Sequence, residues 1–248
     1  MNVKQIANVL ELVEFFAEQR RPATLAEISK HFGWPRSSTF NLLGTLASRG
    51  YLYEPRARGG YYPSPKWMSL LQQIEQAEPI PEPFRKVLRA LAERTGETAV
   101  LAGTSGTHAV FVDAIESSNA IRYTASPGKL VPLHVTATGR ALLSLLTPAD
   151  RAKVLRCATF ERYTPSTLMS VAAVEQEIAR SVQRGWFEGN AEFTADLGGV
   201  SIPLKLPHRH FALLVAGPMF RVKPRGSELA QIIMDEIRIH LAELQPPP

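Results

Sequence analysis

The 248-residue sequence holds a single cysteine, Cys157, which excludes an internal disulfide framework and any Cys-x-x-Cys metal cluster. A lone thiol beside Leu155 reads as buried filling rather than as a nucleophile. No apolar run approaches the roughly 18 residues needed to span a bilayer. Glu11, Glu14 and Glu18 fall where a secretory signal would need an uninterrupted apolar core. The expected setting is the cytoplasm, with no membrane partner. Also missing are a P-loop, H-E-x-x-H, G-x-S-x-G and the glycine pattern of dinucleotide sites, so the enzyme classes built on them are excluded and no cofactor is implied. GTSGTH at 103–108 lacks the spacing of a nucleophile elbow.

What is present suffices for a small domain and a larger one: 45% of residues are hydrophobic and 21% charged. The net charge of +5 is unevenly spread. Between positions 20 and 66 stand Arg20, Arg21, Lys30, Arg36, Arg49, Arg56, Arg58 and Lys66 against only Glu27 and Glu54, so the rest of the chain has 20 basic residues against 21 acidic ones. The positive excess lies in one N-terminal stretch, as a polyanion-binding surface requires.

That stretch reads as a helix-turn-helix. Val3, Ile6, Val9, Leu10, Val13, Phe16 and Ala17 form one apolar stripe of a helix over 2–19. After Pro22, Thr24 and Glu27 make a capping box for a short helix that buries Leu25, Ile28 and Phe32. Gly33 supplies the turn, and Pro35 suits the first turn of a third helix running to about Arg49. Phe40, Leu43, Leu46 and Ala47 are its expected core side; Arg36, Ser37, Asn41, Thr45 and Ser48 face out. Small polar side chains with a basic residue at the helix start let a helix lie close in the major groove. YLYEPRARGGYY then gives two short strands around a basic tip, a wing whose Arg56 and Arg58 reach phosphates or the minor groove. The expected DNA-contacting set is Arg36, Ser37, Ser38, Thr39, Asn41, Leu42, Thr45, Arg56 and Arg58.

Trp67, Leu70, Leu71 and Ile74 repeat with helical spacing before Pro79, Pro81 and Pro83, which marks a linker helix and a domain boundary. Its apolar stripe predicts pairing with a second copy, as a dimer or a dimer of dimers. Beyond Pro83, Phe84, Val87, Leu88 and Leu91 mark a helix; ETAVLAG and HAVFVDAIE read as strands, with AIRYTA as a third. ATGRALLSLL and Val171 to Arg184 read as helices, GGVSIPLKL and HFALLVAGP as a closing hairpin, and Ser227 to Leu244 as a last helix. Strands grouped apart from helices imply an antiparallel sheet with helices packed on it, an α+β domain.

PLHVTATGRALLSLL at 132–146 resembles the IclR family of transcription regulators. So do RTGETAVLA at 94–102, SPGKLVPLH at 126–134, YTPSTL at 163–168, IARSVQRGW at 178–186, and the GGVSIPL and LLVAGP segments, in the expected order over nearly the whole chain. The resemblance implies a winged helix-turn-helix over 1–63, a linker helix over 64–82 and a GAF-like effector domain over 83–248. It implies a regulator that binds operator DNA and answers to a small organic or aromatic acid. It places effector contacts at Ala137 and Thr138 and at Gly199, Val200 and Ser201, with Asn190 and Glu192 on the segment between. Three departures stand out: Gly199 where many members have Cys, Arg140 for Lys, and Trp186-Phe187 for a smaller pair.

The residues themselves support a pocket. Amides opening the helix after Thr136 favour a carboxylate, Thr138 and Ser201 offer hydroxyls, and Leu101, Phe111 and Leu130 offer apolar walls. Two rival functions stay open at this point. One is a ligand-responsive module whose helix-turn-helix contacts protein; the other is an enzyme. For the latter, His134 reads as a hydrogen-bonded structural group rather than a base, and His208 with His210 lack a third metal ligand.

Overall fold

The computed structural model describes residues 3–56, 59–77, 80–206 and 209–242 and divides the chain into two compact units, 1–79 and 80–248. The division falls three residues before the expected start of the larger domain.

In the first unit, α1 (Lys4–Gln19), α2 (Leu25–Phe32) and α3 (Arg36–Ser48) surround a core of Leu12, Phe15, Phe16, Ile28, Leu43 and Leu46. The buried side of α1 is not the whole stripe read from the sequence: Val3, Ile6 and Leu10 are exposed, while Leu12 and Phe15 point inward. Thr24 caps α2 as expected. Its hydroxyl oxygen accepts from the Glu27 amide, and Glu27 accepts from the Thr24 amide at 2.8 Å. Gly33 closes α2 in the left-handed conformation at φ 65°, where an L side chain is strained. The hairpin β1 (Leu52–Tyr53) and β2 (Tyr62–Pro63) follows, extended by a bridge between Ala23 and Tyr61. A Cβ on Gly60, at φ 91°, would run into the Ala23 backbone, so only glycine lets the wing return there. Helix α4 (Lys66–Ala77) begins against this unit, Trp67 Nε1 donating to the Tyr51 carbonyl at 3.0 Å.

The second unit is one six-stranded antiparallel sheet in the order β5-β4-β3-β8-β7-β6. Its strands are β3 (Thr98–Ser105), β4 (His108–Ile115), β5 (Leu130–Pro132), β6 (Phe187–Asn190), β7 (Leu197–Lys205) and β8 (His210–Pro218). Helices α5 (Glu82–Thr95) and α10 (Gly226–His240) cover one face; α6 (Ala137–Ser144) and α8 (Val171–Arg184) cover the other. Because both faces are covered, β3 is buried at six successive positions rather than at alternate ones. Alternation still sorts the side chains. Leu101, Val200, Leu213 and Val215 join the core under α5 and α10, whereas Phe111, Leu214 and Ala216 join the one under α6.

Several sequence expectations are corrected. AIRYTA forms no strand; the edge strand beside β4 is Leu130–Pro132. Helix α7 (Pro148–Cys157), opened by the Thr147 cap with Pro148 next, was not anticipated, and neither was β6. Cys157 ends α7 on the surface and is exposed, not buried filling. Short α9 (Met219–Val222) connects β8 towards α10.

Candidate DNA-reading face and ligand cavity

Helix α3 turns Thr39, Leu43 and Leu46 inward at helical spacing and leaves Arg36, Ser37, Ser38, Asn41 and Thr45 exposed. Two members of the expected contact set are therefore misplaced. Thr39 is fully buried and donates its hydroxyl to the Pro35 carbonyl at 3.0 Å, and Leu42 packs against the core. Phe40 moves the other way: expected in the core, it is 59% exposed. Thr45 donates its hydroxyl to the Asn41 carbonyl at 2.7 Å and Ser48 to the Thr45 carbonyl at 3.0 Å, so both donors are spent within the helix. Ser37, Ser38 and Asn41 then supply the side-chain donors of this face that the helix does not use, while Thr45 keeps its hydroxyl oxygen as an acceptor.

Its electrostatics favour a polyanion. Arg36, Arg49 and Arg56 are exposed and form no ion pair among the described residues, whereas Arg21 is neutralised by Glu27 at 3.0 Å. Arg56 stands at the wing turn, where its carbonyl accepts from Gly59 at 2.8 Å; Arg58 lies outside the described residues.

In the second unit a cavity of about 60 Å³ lies between the α6 start, the sheet and the segment after β6. Phe111, Tyr123 and Phe193 give it aromatic walls; Val131, Val135, Leu197 and Leu214 add aliphatic ones. Ala137, Thr138 and Gly199 line it, as do Thr136, Glu192 and Thr194. Thr136 fixes the helix opening, its hydroxyl oxygen accepting from the Gly139 amide at 3.0 Å while the hydroxyl donates to the Pro132 carbonyl at 3.1 Å. A Cβ on Gly139 would overlap the Leu133 backbone, so glycine alone permits this tight corner.

Glu192 is held on all sides. Arg140, wholly buried, pairs with it at 2.9 Å through Nη2, which also donates to the Glu188 carbonyl at 2.7 Å. The second carboxylate oxygen accepts from the Asn190 amide. Thr164 donates to the Ala191 carbonyl and Thr167 to the Glu192 carbonyl, each at 2.7 Å. Residues 191–196 thus form a strap over the cavity, with left-handed backbone at Ala191 (φ 58°) and Asp196 (φ 60°) at its ends. His134, expected to be hydrogen-bonded, is instead packed against Phe160 at 4.5 Å between ring centroids. Neither ring nitrogen has a partner among the described residues. Its burial, with the nearby Arg140 and His108 charges, holds the imidazole below its ordinary 6.5.

Against known families, residues 72–238 match the bacterial transcriptional regulator IclR C-terminal domain and residues 5–56 the IclR helix-turn-helix domain. The chain belongs to the IclR family of transcriptional regulators. As an IclR protein it is a DNA-binding regulator with an effector-binding domain, and its relatives are regulators rather than enzymes. One is the acetate operon repressor of Salmonella typhimurium, 26% identical over 94% of this chain and 86% of that one. The Thermotoga maritima IclR has the same fold, with a TM-score of 0.76, 18% identity, and coverage of 99% of this chain and 100% of that one. An IclR homologue from Microbacterium hydrocarbonoxydans, solved with 4-hydroxybenzoate, aligns at a TM-score of 0.68 with 19% identity over 95% of this chain and 99% of that one.

In this IclR chain, not every residue expected around the effector reaches the cavity. Phe111, Ala137, Thr138, Glu192 and Gly199 line it. Leu101 and Val200 face the opposite side of the sheet, because neighbouring strand residues point to opposite faces. Leu130 is 53% exposed on the edge strand. Ser201 shares the Gly199 face but is two residues further along and donates its hydroxyl to the Leu213 carbonyl at 2.9 Å. Asn190 contributes only its amide, to Glu192. Tyr123, Phe193 and Leu214 were missed, and only Leu214 had a sequence signal, since it alternates with Ala216 on the strand beside β7. His210 is half-buried on β8 and His208 lies outside the described residues. Among the described residues no three His, Cys, Asp or Glu side chains are grouped to hold a metal.

Proposed function

We propose that the chain regulates transcription in the cytoplasm as a homo-oligomer, holding an operator with α3 and the wing and releasing or tightening it when a small carboxylic acid enters the cavity. Arg36, Ser37, Ser38, Asn41 and Thr45, with the wing arginines, are the proposed DNA contacts. Ala137, Thr138, Glu192, Phe111 and Gly199 are the proposed effector contacts. The observation that carries the DNA half is the exposed row of short polar side chains on α3, flanked by Arg36 and Arg49, which form no ion pair among the described residues. Pairing with a second copy is supported by Met68, Leu71 and Ile74, which lie 60%, 55% and 66% exposed along one side of α4.

For the effector, Thr138 and the start of α6 offer donors and a favourable dipole to a carboxylate, while the other walls are apolar. About 60 Å³ holds only a few heavy atoms with the walls at rest. The aromatic and aliphatic walls around this polar end suit a small organic acid. The test is binding of the full-length protein to a duplex it enriches from a random-sequence pool, across a salt series. Arg36→Ala is expected to weaken binding and to make the log–log salt slope shallower by about 1. A slope that Arg36→Ala leaves unchanged would remove Arg36 from the interface.

A further inference from the structure

Phe40 and Gly44 are the two positions of α3 that neither packing nor charge accounts for. A large apolar side chain on a helix face of short polar residues gains nothing from water: Phe40 is 59% exposed, and Arg36, Ser37 and Asn41 near it on the helix are exposed as well. Gly44 sits one turn later, in the helix interior, at a backbone conformation any residue adopts, and a Cβ there would meet nothing within 4 Å. Glycine is the least favourable helix residue after proline, and no neighbour forces it here. Helical side chains lean towards the N-terminus, so a side chain at 44 would project into the open space on the C-terminal side of Phe40, which a Cβ enters without touching any neighbour. Its absence leaves that space empty. The pair makes an apolar knob with an open notch beside it, on the exposed face of α3 proposed above to read DNA.

The only apolar group that a base pair presents in the major groove is the thymine methyl. We infer that Phe40 reads a thymine methyl through the space left by Gly44, making Phe40 a specificity-determining residue; this rests on the DNA-reading role of α3 proposed above. Asn41, next along the helix, carries the amide that pairs with adenine edges, so the two neighbours together favour A·T pairs beneath α3. Removing one methyl from an apolar contact weakens binding by about fourfold.

The test uses the duplex enriched by the full-length protein, with each thymine replaced in turn by deoxyuridine, which lacks only the methyl. Wild type is expected to lose about fourfold at one or two thymines and nothing at the rest. Phe40→Ala, whose exposed position keeps the fold intact by circular dichroism, is expected to bind the thymine duplex more weakly and to lose nothing further on those replacements. Gly44→Ala is expected to melt higher yet bind more weakly, with a reduced methyl effect. The inference is overturned if no deoxyuridine weakens wild type, if Phe40→Ala keeps the full methyl effect, or if Gly44→Ala keeps it. If no duplex is enriched over random competitor, the DNA role of α3 itself falls, which is a separate result.

Discussion

Replacing Glu192 by Met leaves a wholly buried guanidinium without its carboxylate partner. Arg140 is fully buried, its Nε and Nη1 have no partner among the described residues, and Nη2 alone joins the Glu192 carboxylate at 2.9 Å and the Glu188 carbonyl at 2.7 Å. At an effective dielectric constant near 20 two charges about 4 Å apart attract by about 4 kcal/mol. Deleting one partner of a buried pair costs about 3–5 kcal/mol, because the remaining charge keeps its desolvation penalty. For a unit of this size that corresponds to a fall of about 6–20 °C in melting temperature. The double variant Arg140→Met with Glu192→Met removes both charges and is expected to lose less than either single one. Hydrogen exchange at the α6 and β7 amides, with urea melts of the full chain, measures the loss within this unit. A Glu192→Met cost below about 1 kcal/mol, or a double variant that merely sums the singles, would refute the reasoning and leave the strap fixed by Thr164 and Thr167 instead.

His134 binds a proton less readily folded than unfolded, so it contributes full stability above its ordinary 6.5, and that contribution is lost as pH falls below it. Thermal melts between pH 7.5 and pH 5 are expected to fall less steeply for His134→Phe than for wild type; equal slopes would show that another group governs the acid side. In the first unit Thr24→Ala removes the capping box and is expected to cost about 1 kcal/mol, read by urea unfolding of α2 amides. Its companion Glu27 is held down to about 2, first by the Thr24 amide, so this capping contribution is present above pH 4.5 and lost as pH falls towards about 2. Thr24→Ala is therefore expected to flatten that acid limb, and an unchanged limb would count against the cap.

The helices and the wing of the first unit were legible in the sequence because their signals are local. A cap acts over three residues, a glycine turn over one, and an apolar stripe over a single helix, as Thr24, Gly33 and Leu43 illustrate. The excess of cations was equally legible, since summing charge needs no coordinates. The tertiary structure decided which side of each element faces what. A helix stripe three residues wide reads almost equally well when turned by one residue, which is how Phe40 and Thr39 came to exchange places. With helices on both faces of the sheet, apolar residues fill inward and outward positions alike, so nothing in the strand pattern separated Leu101 and Val200 from the cavity side. The joining of Arg140 to Glu192, 52 residues apart, likewise depends on β6 folding back beside α6. Spacing along a chain carries no record of such an approach; only packing brings the two charges out of water together.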